Sequence, residues 1–221
     1  MLLEKERKNV VEYGKRVSLE GLTSGTSGNI SIFNKEKKLV AISPSGISYL
    51  ETKPEDVVIL DLDGNIIDGD RKPSSEKDLH LVMYKNKNCG AVVHTHSKFL
   101  TVFACLHKPL EALHYIIADS GSNVVPVAEY RTFGSKELAI SALETIGFGK
   151  AVLLANHGAL TIGNDIKSAF SLIKTLEEVA ELQYRCMSIG RPKILSKEEI
   201  EEVIVKFGSY GQKDNENKGY N

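Results

Sequence analysis

Two short apolar runs, residues 57–62 (VVILDL) and 66–67, are separated only by Asp63-Gly64-Asn65. A glycine-centred polar turn between β-type runs is a hairpin signal, and a hairpin commits its two strands to antiparallel pairing. A second polar turn over 34–38 joins the runs 30–33 (ISIF) and 39–42 (LVAI) in the same way. These turns argue against a sheet built only from parallel crossover units. Further strands are expected over 91–96, 123–128, 151–155 and 159–162.

Helical periodicity fills the stretches between them. Residues 3–22 place Leu3, Val10, Val17 and Leu22 on one stripe. Pro73-Ser74-Ser75-Glu76 opens a helix running to about Tyr84, with Ser75 and Asp78 patterned as a capping box. Residues 98–106 put Phe99, Val102, Phe103 and Leu106 on one face, and 135–146 form a helix stopped by Gly147. The longest helix covers 165–187, with Ile166, Ala169, Phe170, Ile173 and Ala180 aligned. Ser196 caps a last helix carrying Ile200, Val203, Ile204 and Phe207. The fold class is therefore α/β: a mixed sheet with helices on its faces. The polar segment 211–221 is expected to be a mobile tail.

Composition narrows the function. Over 221 residues, 42% are hydrophobic and 26% charged, and 28 basic against 29 acidic residues leave a net charge of −1. That balance lacks the basic excess of a nucleic-acid binder. No apolar run approaches the roughly 20 residues of a membrane span, and residues 1–16 lack the apolar core of a signal peptide. Cys89, Cys105 and Cys186 form no CxxC pair, so each reads as a small core residue and a reducing cytoplasm is expected.

His94-Thr95-His96 is the sharpest local feature. Residues two apart on a strand face the same side, so both imidazoles can reach one metal ion; a hydrogen-bonded surface pair is the alternative. His157 follows the apolar run 152–155 and precedes Gly158, at a second strand end. Three histidines with an open position make a catalytic zinc pattern. Glu76, after two serines at a helix start, suits a base, a fourth ligand or a plain dipole-complementing carboxylate. The loops 23–29 (TSGTSGN) and 43–46 (SPSG) are rich in hydroxyl and backbone donors, able to cradle a phosphate or simply to turn; neither continues into a Walker sequence. His80, His107 and His114 rank low as ligands.

In combination these motifs point further. GTSGN at 25–29, SPSG at 43–46, PSSE at 73–76, VVHTH at 92–96, HYIIADSGSN at 114–123, TFGSKEL at 132–138 and NHG at 156–158 occur in one order. The chain resembles the zinc-dependent class II aldolase family, in the L-fuculose-1-phosphate aldolase branch, from the first helix to about Tyr210. The resemblance implies one domain over 1–210, a three-layer α/β/α sandwich around a mixed, largely antiparallel sheet. It implies a homotetramer with active sites between subunits. It implies one zinc per subunit on His94, His96 and His157, with Glu76 as acid/base and fourth ligand. Asn29, Ser45, Gly46, Ser74 and Ser75 fall on the family's phosphate-binding positions. Tyr115 would enter a neighbouring subunit's site as proton donor to the aldehyde. Phe133 would shape the aldehyde pocket, and Tyr210 is expected to close over it.

The implied reaction cleaves a ketose 1-phosphate, L-fuculose 1-phosphate or similar, into dihydroxyacetone phosphate and an aldehyde such as lactaldehyde. The enediolate needs a Lewis acid, which zinc held by neutral imidazoles supplies, and a carboxylate to move its proton. The alternatives are an aldolase on 5-deoxyribulose or methylthioribulose 1-phosphate, a methylthioribulose-1-phosphate dehydratase, or a sugar-phosphate 4-epimerase. A non-catalytic zinc-stabilised protein would be favoured by loss of Glu76, Tyr115 or a histidine, and all are present.

Overall fold

A computed structural model describes residues 1–208. Tyr210 and the segment 211–221 lie outside the described residues. The chain runs α1 (Glu4–Leu19), β1 (Asn29–Asn34), β2 (Leu39–Ile42), β3 (Val58–Asp61), β4 (Ile66–Asp68), α2 (Lys77–Asn86), β5 (Ala91–Thr95), α3 (Lys98–Leu106), β6 (Leu110–Glu111), β7 (Val124–Val125), β8 (Val127–Ala128), α4 (Lys136–Ile146), β9 (Ala151–Leu154), β10 (Gly158–Gly163), α5 (Ile166–Ile189) and α6 (Lys197–Phe207). A 3-10 turn at Tyr115–Ser120 precedes β7.

Eight strands form one sheet in the order β4-β3-β2-β1-β5-β10-β9-β8. Every pairing is antiparallel except that of β8 with β9. The strand alternation divides the core in two. Ile30, Ala41, Ile59, Ala91, Val93 and Leu153 face α1, α3, α5 and α6. Val40, Ile42, Val58, Leu60, Val92, Val152 and Leu154 face α2 and α4. This is the expected three-layer α/β arrangement with its mixed, largely antiparallel sheet.

Local chemistry sets several boundaries. The β3–β4 hairpin closes where the Asp61 carboxylate accepts from the N–H groups of Asp63 and Asn65. Asp165 and Ser196 cap α5 and α6, each in a reciprocal box with the residue three positions on.

Four expectations change. The strand expected over 123–128 is two strands: Pro126 has no N–H to donate, and the chain leaves β6's partner β7 to pair β8 with β9. Ser75 is no helix cap. The Ser74 hydroxyl accepts from the Glu76 N–H instead, and α2 begins only at Lys77. The buried face of α3 is Leu100, Phe103 and Ala104, with Leu106 54% exposed. Cys89 is a core residue, whereas Cys186 is half-buried and Cys105 exposed.

A close backbone approach beside the histidines is at Gly158, where a Cβ would collide with the Thr95 carbonyl oxygen and press on the His96 ring. Gly190, at the end of α5, has nothing within 4 Å of a Cβ. We expect Gly158→Ala to force β10 away from β5 and to cost about 1–3 kcal/mol, the usual range for overpacking. Gly190→Ala should leave the urea midpoint near wild type. Equal midpoints for the two variants would refute the close-approach role.

Candidate active site

Strand β5 lies between β1 and β10, with Asn29 and Leu160 in register on either side of His94. His94 is fully buried, and His96 follows two residues on, just beyond the strand end. The β9–β10 turn brings His157 to the same place. Asn156 takes φ +53°, a region asparagine tolerates, and the His157 N–H donates to Leu154 O at 3.0 Å. Glu76 sits immediately before α2, 6% exposed.

These four side chains converge, with one ligand atom from each lying within 4.8 Å of all the others. His94 Nε2 is 3.1 Å from His96 Nε2 and 3.3 Å from Glu76 Oε2; His157 Nε2 is 3.4 Å from Glu76 Oε1. A tetrahedral zinc with bonds of about 2.0–2.1 Å places its donors roughly 3.3–3.4 Å apart. The tautomers agree with such a use. His94 Nδ1 donates to the Ala159 carbonyl at 2.9 Å, so its Nε2 carries a lone pair that faces a carboxylate oxygen. Two facing acceptors repel unless a cation lies between them. Glu76 Oε1 is buried without a hydrogen-bond partner, which points the same way. The group fits one metal ion.

Above the cluster opens a cleft of about 280 Å³. Asn29, Ser45, Gly46, Ser74, Ser75 and Phe133 all line it, with Glu76, His96 and His157. The two serine loops are joined: Ser45 N–H donates to Lys72 O at 2.9 Å and Ser74 N–H to Ser43 O at 3.1 Å. Tyr115 does not line this cleft. It is 49% exposed, with its ring against His114 and Phe207. Tyr130 and Arg131 also line the cleft and carried no sequence signal of their own. His80, ranked low as a ligand from the sequence, is fully buried and bonded to Asn29; its position four residues after Glu76, within the helix that Glu76 precedes, is the signal that could have found it.

Residues 8–184 match the model of the class II aldolase and adducin N-terminal domain family. The chain belongs to the class II aldolase family. As a class II aldolase it is a lyase. It is 53% identical to 5-deoxy-D-ribulose 1-phosphate aldolase of Bacillus thuringiensis serovar kurstaki, over 96% of this chain and 100% of that one. It is 40% identical to 5-methylthioribulose-1-phosphate/5-deoxyribulose-1-phosphate aldolase of Rhodospirillum rubrum, over 93% and 92%. A solved structure of an L-fuculose 1-phosphate aldolase superposes with a TM-score of 0.92 at 41% identity, covering 94% of this chain and 98% of that chain. Among the described residues, no helix is long and apolar enough to cross a membrane.

The charge state of the aldolase cluster follows from its burial. Burial opposes ionisation of Glu76, but the polar groups around it, His94 first, then His157 and the Asn29 amide, outweigh it and hold the carboxyl well below its usual range. Burial, reinforced by the neighbouring histidines, lowers His96 and His157 to about 4. Burial lowers His80 to about 3. Folded, these three rings resist protonation that the unfolded chain accepts near 6.5. Between those limits the unfolded state binds more protons, so stability falls as pH falls. The metal-free protein should therefore lose urea resistance steadily from about pH 6.5 to about pH 4. A flat midpoint across that window would contradict the burial of these rings.

Proposed function

We propose that this chain is a zinc-dependent aldolase cleaving 5-deoxyribulose 1-phosphate into dihydroxyacetone phosphate and acetaldehyde. The observation that carries it is the Glu76–His94–His96–His157 cluster at the floor of a phosphate-type cleft, in a chain 53% identical end to end to a protein of that named activity. L-fuculose 1-phosphate, the first expectation from sequence, is the less supported substrate. Phe133 and Tyr130 give the cleft an aromatic rim that suits a methyl terminus, whereas the six-carbon sugar brings an additional hydroxyl there.

The three imidazoles and one carboxylate are a zinc-type donor set. When bound, the ion would supply Lewis-acid stabilisation of the negative charge developing on the substrate oxygens. The chain's own residues do the rest. Ser45, Gly46, Ser74 and Ser75, with the Asn29 amide, hold the phosphate by N–H and hydroxyl donors and fix the reacting carbons over Glu76. In cleavage the C3–C4 bond breaks, and its electron pair stays with the three-carbon phosphate. The C4 hydroxyl gives up its proton, and Glu76 hands one to C3. Tyr115 of a neighbouring subunit takes the hydroxyl proton on this reading. Its exposure, and its absence from the lining of its own chain's cleft, support a site completed across an interface, in a homotetramer of single-domain subunits.

A coupled reductase assay for dihydroxyacetone phosphate should detect EDTA-sensitive release from 5-deoxyribulose 1-phosphate, in preference to L-fuculose, L-rhamnulose and D-ribulose 1-phosphates. Comparable turnover of methylthioribulose 1-phosphate would extend the reading to a dual substrate. No release from any of them by zinc-loaded protein would favour a dehydratase or epimerase.

Glu76→Gln should fold and lose about 10²–10⁴-fold in proton exchange on dihydroxyacetone phosphate, the range for a lost acid/base group. Tyr115→Phe should depress cleavage more than exchange. Full exchange in the first variant, or equal losses in the second, would remove those roles.

A further inference from the structure

From Asn29, at the edge of the cleft, a line of buried polar groups runs inward through His80, Ser31 and Tyr84, three residues that the proposed reaction leaves unused. Asn29 Nδ2 donates to Glu76 Oε2 at 2.9 Å. His80 Nε2 lies 2.5 Å from Asn29 Oδ1, and His80 Nδ1 lies 2.6 Å from Ser31 Oγ. Ser31 Oγ is in turn 2.6 Å from the Tyr84 hydroxyl. Ser31 and His80 are wholly buried, and Asn29 and Tyr84 are 4% and 6% exposed.

The line has one consistent direction. An ionised carboxylate only accepts, so the Asn29 edge facing Glu76 must be its NH2. The other edge, Oδ1, only accepts, so His80 must donate from Nε2. A neutral imidazole then has a lone pair at Nδ1, which takes the Ser31 proton, and Ser31 accepts from Tyr84. In the reverse arrangement, with the proton on Nδ1, the Asn29 amide would turn its oxygen to the Glu76 carboxylate, setting two acceptors face to face. The Glu76 carboxylate thus sets the direction of the whole line, and the Nε2–H of His80 holds the Asn29 amide in that orientation.

We propose that His80 is a positioning residue: its Nε2–H locks the Asn29 amide with the NH2 edge toward Glu76, holding that carboxylate in place for metal and substrate. This rests on the reading of Glu76 as ligand and acid/base. No part of His80 touches the reacting atoms; it acts through Asn29. Outer partners of metal ligands typically matter by about 10–100-fold in affinity or activity.

The test has a substrate-free arm. Nitrogen NMR of the ring-labelled full chain, with the His80 signals assigned by their loss in His80→Gln, should find the neutral Nε2–H tautomer; the Nδ1–H tautomer would overturn the proposal. Zinc affinity by chelator competition should fall about tenfold or more in His80→Leu. In His80→Gln, whose amide N–H can stand in for Nε2–H, the loss should stay within about threefold. Exchange on dihydroxyacetone phosphate should follow the same split, mainly in kcat. Wild-type zinc affinity in a folded Leu variant, or equal losses in the two variants, would overturn it. Should the Leu variant not fold, a tenfold loss in the Gln variant alone would do so. A wild-type protein inert toward every ketose 1-phosphate, with the tautomer and zinc results as expected, would sink the aldolase reading and uphold His80.

Discussion

The site depends on the double pairing of β5. A strand hydrogen-bonded on both edges has no freedom of register, and a slip of one residue would turn His94 from one face of the sheet to the other. Pairing with β1 sets Asn29 beside His94, and pairing with β10 sets the start of that strand, and so His157, beside the β5 end. The exit of the chain from β5 is fixed as well. Helix α3 begins at Lys98 without a side-chain cap of its own, and the Glu177 carboxylate of α5 accepts from the N–H groups of Phe99 and Leu100, both at 2.9 Å. His96 is held between a locked strand and a helix start anchored from another layer.

That rigidity matters because the cluster is costly to bury. An ionised carboxylate taken out of water loses several kcal/mol of hydration unless partners replace it. Glu76 receives the Asn29 amide on one oxygen, while Oε1 and the Nδ1 of His157 are left without hydrogen bonds. The set is polar, buried and incompletely satisfied, an arrangement that a sheet of ordinary stability sustains for a ligand rather than for packing.

Much of this was legible in the chain. The HxH spacing on an apolar strand, the His-Gly after a second apolar run and the Ser-Ser-Glu before a helix located the cluster, and the turns at 34–38 and 63–65 forced antiparallel pairing. What stayed hidden depends on contacts distant in sequence. His80 is one histidine among six in the sequence, and only the β1–β5 register carries Asn29 between it and Glu76. The two-residue strands on either side of Pro126 are too short for any periodicity to reveal their different partners. On α3 apolar residues line two overlapping faces that share Phe103, and packing against α5 buries the one with Leu100 and Ala104 rather than the one with Leu106.

The start of α2 shows how one helix end can serve two anions. Glu76 stands at its N-terminus, where free N–H groups and the helix dipole favour negative charge. Ser74 and Ser75, just before it, face the cleft where the proposed phosphate would lie. None of Ser45, Gly46, Ser74 and Ser75 carries a charge, so at that end of the cleft the phosphate would be held by dipoles rather than by an ion pair. Two anions sharing one helix end repel each other, and the repulsion is relieved if Glu76 is drawn toward a cation on its far side. His94, His96 and His157 lie on that side as neutral acceptors, adding no negative charge. The histidines' neutrality and the helix end are therefore parts of one electrostatic arrangement, in which the positive charge beside Glu76 is left for a metal to bring.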